Sequence, residues 1–199
     1  DDPVGRGVVA CRRLRDEALG HRLAFEVAGV LGRLDHEGQA LGLEPEPIGE
    51  TFETLSTFYG TAASAAGWMR GEGDTVELYA DAENVTVTAV ENGQSFEVPV
   101  YDLSFADKKD KYCVFFGGNY PEMVISTGNE GGKLLVVKDS YANALLPFLF
   151  EHYSEIRVID LRYYKLPMSD LVLSEGFDAV LILYGISAYT ADTNIVFLR

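Results

Sequence analysis

The spacing of apolar positions along this 199-residue chain changes several times, and each change marks an expected element. Over residues 8–42, Leu14, Ala18, Phe25, Val30, Leu31 and Leu34 fit a helical period. Gly20, Gly29, Gly32 and Gly38 dilute it, since each glycine costs a helix up to about 1 kcal/mol. Leu43-Glu44-Pro45-Glu46-Pro47 ends the segment, because a proline pushes the residue before it out of the α region. A loop-rich stretch is expected next, through the small-residue run 60–67 and Trp68. From Val76 the period becomes two. VELYA, NVTVTAV and SFEVPVYDL alternate apolar with polar side chains, and Glu91-Asn92-Gly93-Gln94 carries the Asn-Gly signal of a tight hairpin. This predicts an antiparallel β-hairpin insertion over 76–105, beside a main sheet.

Past residue 110 the apolar runs become continuous. KYCVFF at 111–116 reads as a buried run and 123–127 as a short strand. LLVVK at 134–138, IRVID at 156–160 and AVLILY at 179–184 have the character of parallel strands. Helices are expected between them, over 141–153 with Leu145, Leu146, Leu149 and Phe150 inward, and over 169–175 with Ser169 as N-cap. Strands alternating with helices predict an α/β fold, a parallel sheet with helices on both faces. Ligands bind such sheets beyond the carboxyl ends of the strands. Asp139-Ser140, residues 160–163 and residues 185–192 all fall on that edge.

Composition narrows the function classes. The chain is long enough for one globular domain over 1–199 and has no run of 18 apolar residues. A net charge of -15 weighs against nucleic acid as a partner, because phosphate binding depends on Lys and Arg. Three dispersed histidines and two dispersed cysteines, Cys11 and Cys113, match no metal-ligand spacing, and Cys113 reads as a core residue. No P-loop or G-x-G-x-x-G follows a strand, so no cofactor is expected. The chain opens on Asp1-Asp2-Pro3 without a methionine, as expected of a fragment of a longer protein.

Ser140 is the candidate with chemistry. A serine at a strand's carboxyl end, just ahead of a helix, occupies the position where α/β enzymes hold nucleophiles. By position alone, Asp139 and Ser140 read first as helix caps, which would satisfy the opening amides of the expected helix. Asn143, one turn on, is a candidate donor beside the serine. His152 falls about three turns away, near the other end of the expected helix, which leaves His21 and His36 as candidate bases. Asp35 and Glu37 flank His36, but adjacent residues on a helix do not face each other, and both histidines read equally as solvated helix residues.

Three strings carry a family resemblance: YCVFFGGNYPEMVIST at 112–127, KLLVVKDSYAN within 133–164, and LILYGISAYTADTN near the C-terminus. Over most of residues 40–199 the chain resembles the Asp-His-His-Trp (DHHW) protein family, which is grouped with SGNH-hydrolase-like proteins and is similar to domains that O-acetylate envelope polysaccharides such as alginate. The resemblance implies a three-layer SGNH-like fold with Ser140 as nucleophile. It also implies Tyr141, Asn143, Asn119, Gly118 and Ser187 as candidate oxyanion or substrate contacts, a carbohydrate or acyl-ester substrate, and an extracytoplasmic setting with a membrane-anchored full-length protein. Leu41-Gly42-Leu43-Glu44-Pro45 matches the family's LGLEP-like segment, but no Asp-His-His-Trp string precedes it. Its counterpart by spacing is Gly20-His21-Arg22-Leu23, and Gly185 stands where an asparagine is expected in the last strand's loop. Two functions follow: a serine esterase or O-acyltransferase, and a catalytically inactive carbohydrate-binding or scaffold domain on the same fold.

Overall fold

The computed structural model describes residues 6–11, 25–30, 53–58, Gly67, 74–78 and 84–198. Among the described residues there are ten strands: β1 (Arg6–Cys11), β2 (Phe25–Val30), β3 (Glu53–Phe58), β4 (Asp74–Leu78), β5 (Thr86–Glu91), β6 (Gln94–Val98), β7 (Glu122–Ser126), β8 (Gly132–Lys138), β9 (Tyr153–Asp160) and β10 (Ala179–Leu183). Two α-helices, α1 (Met168–Glu175) and α2 (Ile186–Ala191), follow β9 and β10. Eight strands form one sheet in the order β2-β1-β10-β8-β9-β7-β5-β6, and β3 pairs with β4 in a separate two-stranded sheet.

The sheet is mixed rather than parallel. Only β10, β8 and β9 run parallel, the three continuous apolar runs of the sequence. The others join antiparallel: β7 to β9, β5 to β7 and β6 to β5 on one side, β1 to β10 and β2 to β1 on the other. The hairpin forms as its Asn-Gly signal requires. Asn92 (φ 52°) and Gly93 (φ 76°) supply the two positive φ values of a type I′ turn, and the hairpin is hydrogen-bonded into the large sheet through β5–β7.

Several local expectations give way. The helix expected over 8–42 is absent from both described pieces of that segment, which are antiparallel strands. RGVVAC and FEVAGV are short, rich in valine and interrupted by glycine, which disfavours helix, and β1 gains a ladder on β10. β3 falls in the stretch expected as loop. Residues 111–114 form a 3-10 helix, and Phe115 alone of that run bridges to Tyr101; Cys113 is only half-buried. The helix expected over 141–153 is two 3-10 helices, Ser140–Ala144 and Leu146–Leu149. Pro147 explains the break, having no N–H for an α-helical bond and a ring that clashes with the carbonyl of residue 143. α1 starts one residue early, with Pro167 rather than Ser169 at its N-cap, and ends on Gly176 in the left-handed region.

Alternating side chains of the parallel strands enter two apolar clusters. Leu134, Val136, Ile156, Val158, Leu181 and Leu183 pack with Ala142, Leu146, Leu149 and Phe150 of the 140–150 segment. Leu135, Val137, Ile159, Val180 and Ile182 pack with Met168 and the half-buried Leu171 and Val172 of α1. By this alternation the last residues of β8 and β9, Lys138 and Asp160, share a face with the first cluster.

Candidate active site

Ser140 is positioned by backbone bonds on both sides of its turn. β8 ends at Lys138, and Asp139 leaves it extended, its N–H donating to the Leu183 carbonyl (3.1 Å) of β10. The Asp139 carboxylate, 3 % exposed, is fully engaged: Oδ1 accepts from the Tyr141 N–H (2.9 Å) and Oδ2 from the Gly185 N–H (2.8 Å). Asp139 is therefore the cap of the turn and its tie to the end of β10. On the other side, the Tyr112 hydroxyl donates to the Tyr141 carbonyl (2.8 Å) and accepts from the Ala144 N–H (3.2 Å). Tyr112 is itself wedged between the rings of Phe58 and Phe115.

Within a 3-10 helix, side chains three residues apart eclipse one another. Ser140 and Asn143 are so related, and Asn143 is buried with its Nδ2 donating to the Gly118 carbonyl (3.3 Å) and to Asn119 Oδ1 (3.3 Å). The Gly117-Gly118-Asn119 loop is thus fastened to the serine's side of the turn. Phe116, fully buried at φ 62°, launches that loop. A bulky residue in the left-handed region is a local strain that only its surroundings maintain, here its N–H bond to the Val100 carbonyl (2.9 Å) and its burial. Among the described residues, neither the Ser140 hydroxyl nor its N–H has a hydrogen-bond partner.

Beneath the turn lies a buried charge network. Lys138 and Asp160 have no exposed side-chain surface and face each other in register. Lys138 Nζ donates to Asn119 Oδ1 (2.9 Å) and lies 3.7 Å from Asp160 Oδ2. Asp160 also accepts from the Arg162 N–H and Nε (3.1 and 2.9 Å) and from its terminal guanidinium nitrogen. Burial pulls the Lys138 pKa down to about 8, with Arg162 adding to the fall and Asp160 and Asp139 opposing it. Hydrogen bonding to Asp160 raises that of Arg162.

The geometry brings together Asp139, Ser140, Tyr141, Asn143, Gly118 and Asn119. Ser187 lies in α2, which begins just after Gly185. His21 and His36 lie outside the described residues. His152 sits at the other end of the strands, its carbonyl against Gly131 where β8 begins. Tyr141 is a donor already spent, its N–H satisfied by Asp139, while its ring lies 3.2 Å from where a side chain on Gly185 would start. Because Ser140–Ala144 is a single short turn, the helix dipole invoked for Ser140 is replaced by individual donors.

Sequence reasoning missed Lys138 and Tyr112, and placed Asp160 and Arg162 on the ligand edge without giving them a role. The signal for the first was present: in LLVVK the lysine occupies the same inward parity as Leu134 and Val136, one residue before Asp-Ser.

The DHHW protein family model matches residues 51–159. Among solved structures the chain is similar to a DHHW family protein from Eubacterium siraeum, with a TM-score of 0.60 and 26 % identity over 76 % of this chain and 54 % of that one. It is similar also to Bacillus cereus PatB1, solved with a sulfonyl adduct, with a TM-score of 0.53 and 25 % identity over 62 % of this chain and 44 % of that one. The chain therefore spans about half the length of the solved proteins it matches. No curated protein matches it.

Proposed function

The chain belongs to the DHHW protein family, and from that premise we propose that it is an SGNH-like serine esterase or O-acyltransferase on a three-layer α/β fold, acting on carbohydrate of the cell envelope outside the cytoplasm. The observation that carries this reading is Ser140 itself: a hydroxyl without a partner among the described residues, on a turn clamped by Asp139 and Tyr112. A nucleophile needs such fixed geometry before it needs a base. Ser140 Oγ attacks the acyl carbon and its proton passes to a histidine, His21 or His36. The acyl-oxygen bond of the donor then breaks, the leaving oxygen takes that proton from the histidine, and the acyl group on Ser140 is handed to water or to a sugar hydroxyl whose proton returns to Ser140 through the histidine. The Ser140 N–H and the Asn119 carboxamide are the donors for the oxyanion.

PatB1 carries a sulfonyl adduct, and sulfonyl electrophiles are taken up by activated nucleophiles. The corresponding test is to treat the chain with phenylmethanesulfonyl fluoride or a fluorophosphonate and locate the adduct by peptide mass mapping. Labelling at Ser140, abolished in Ser140→Ala with unfolding unchanged to within about 0.5 kcal/mol as for a small surface change, supports the reading. An unlabelled wild-type chain that retains acetylated glycan favours the catalytically inactive binding domain instead, for which the missing side chain at Gly185 and the engaged Tyr141 N–H speak.

A further inference from the structure

We propose that Lys138 is a positioning residue of the Ser140 site, whose ammonium fixes the Asn119 carboxamide so that its N–H groups are turned toward the oxygen reacting at Ser140. This rests on Ser140 being the nucleophile. Lys138 is the last residue of β8 and enters the core layer with Leu134 and Val136, without solvent contact. A buried ammonium persists only where partners compensate its lost hydration. Here they are Asn119 Oδ1 and Asp160 Oδ2.

The consequence falls on Asn119. Its Oδ1 accepts from Lys138 Nζ and from Asn143 Nδ2, which uses both lone pairs. Flipping the carboxamide would press its NH₂ against an ammonium and a second NH₂, so the charge fixes the orientation. The Asn119 Nδ2 is left on the side away from Lys138, without a partner among the described residues. Asn143 eclipses Ser140 and holds Asn119 by its oxygen, which keeps the carboxamide on the serine's face of the turn. A neutral amine has a lone pair and accepts as well as donates, so deprotonation of Lys138 removes the charged half of that constraint and leaves Asn143 Nδ2 alone to hold the orientation.

The groups facing Lys138 are Asp160 and Arg162 from β9 and the turn after it, and Asp139 from the end of β8. With the folded value at about 8 against an ordinary lysine value of 10.5, the folded chain sheds a proton that the unfolded chain keeps. Stability from this group therefore rises between pH 8 and 10.5, while reactivity at Ser140 falls over the first part of that window. A residue that served only to stabilise the fold would not move the two in opposite directions.

The test measures the pH dependence of fluorophosphonate labelling at Ser140 in the wild type, Lys138→Met, Asn119→Ala and the double variant. The Asn119 side-chain amide is followed by NMR in the wild type across the same range. The expected result is a wild-type rate that falls above about pH 8 as the Asn119 amide shifts with the same midpoint. Lys138→Met is expected to label about 100-fold more slowly, the loss typical of one oxyanion donor, without the alkaline fall, and the double variant no more slowly than Asn119→Ala. Additive losses overturn the proposal. So does an Asn119 amide that fails to titrate, a measurement that needs no variant to fold. A wild-type chain unlabelled at every pH overturns the nucleophile reading and this inference together, whereas labelling with a silent Asn119 amide overturns this inference alone.

Discussion

At the amino end of β8 and β9 the polar side chains that tie the loops are neutral or open to water. Thr127 Oγ1 donates to the Tyr153 carbonyl (2.6 Å), Ser154 Oγ to the Gly131 carbonyl (2.9 Å) and Asn129 Nδ2 to the Phe150 carbonyl (3.0 Å). Ion pairs there, Lys133 with Glu155 at 3.3 Å and with Glu175 at 4.0 Å, involve side chains that are 38, 23 and 32 % exposed. At the carboxyl end of the same strands Lys138, Asp139, Asn143 and Asp160 are all buried. A buried ion pair is weak support for stability, since apolar replacements of equal volume often do as well. The network under Ser140 is better understood as orientation: it aims Asn119, and through Asp139 it holds the serine turn against β10.

Breaking that end is expected to cost most at Asp160. Asp160→Ala leaves Lys138 without its counter-charge in a dry site and releases Arg162. Removing one partner of a buried pair costs about 3–5 kcal/mol, to be read from urea unfolding. Asp160→Asn is expected to lose less, because it still accepts from Arg162. A loss below about 1 kcal/mol for Asp160→Ala would mean that the charges are solvated and the contrast between the two ends is not real.

Asp139→Ala comes next, at about 2–3 kcal/mol, combining loss of a cap with a Gly185 N–H left unpaired. Asp139→Asn sharpens the comparison, because one amide oxygen replaces two carboxylate oxygens and only one of the two N–H bonds survives. Either variant is expected to slow labelling at Ser140 by loosening its turn. If Asp139→Ala were neutral in unfolding, the clamp between the turn and β10 would not be what fixes the serine.

The same contrast governs what could be read from the sequence. The parallel strands and the hairpin were legible because their signals are local: the largely apolar runs LLVVK, IRVID and AVLILY, and Asn-Gly between alternating segments. Ser140 was legible because it follows such a run directly. Pro147 within the expected 141–153 helix was an available warning that the helix would break. The mixed character of the sheet was not legible, since β1 and β7 owe their direction to partners far along the chain. Nor was the Lys138-Asn119-Asn143 arrangement, because Asn119 reaches the site through a loop whose path depends on Phe116 holding a conformation that its residue type disfavours. Lys138 shows the limit most clearly: its inward parity is a sequence signal, but its partners, Asp160 and Asn119, are fixed by strand register and loop path.

The smallest effect is expected at the amino end. Lys133 pairs with Glu155 at 3.3 Å and stands 4.0 Å from Glu175, with 38 % of its side chain exposed. Water screens such a pair, and ordering two long side chains offsets much of the attraction, so exposed pairs contribute about 0–1 kcal/mol. Lys133→Ala is therefore expected to shift unfolding by less than about 1 kcal/mol, with the shift shrinking further in 0.5 M salt and no change in labelling at Ser140. Its backbone role survives the substitution, because the Lys133 N–H still donates to Asp178 Oδ2 (2.9 Å). A loss comparable to that of Asp160→Ala would show that charge contributes equally at both ends of the strands, and the buried network would then lose its distinction as the part of the sheet shaped for chemistry.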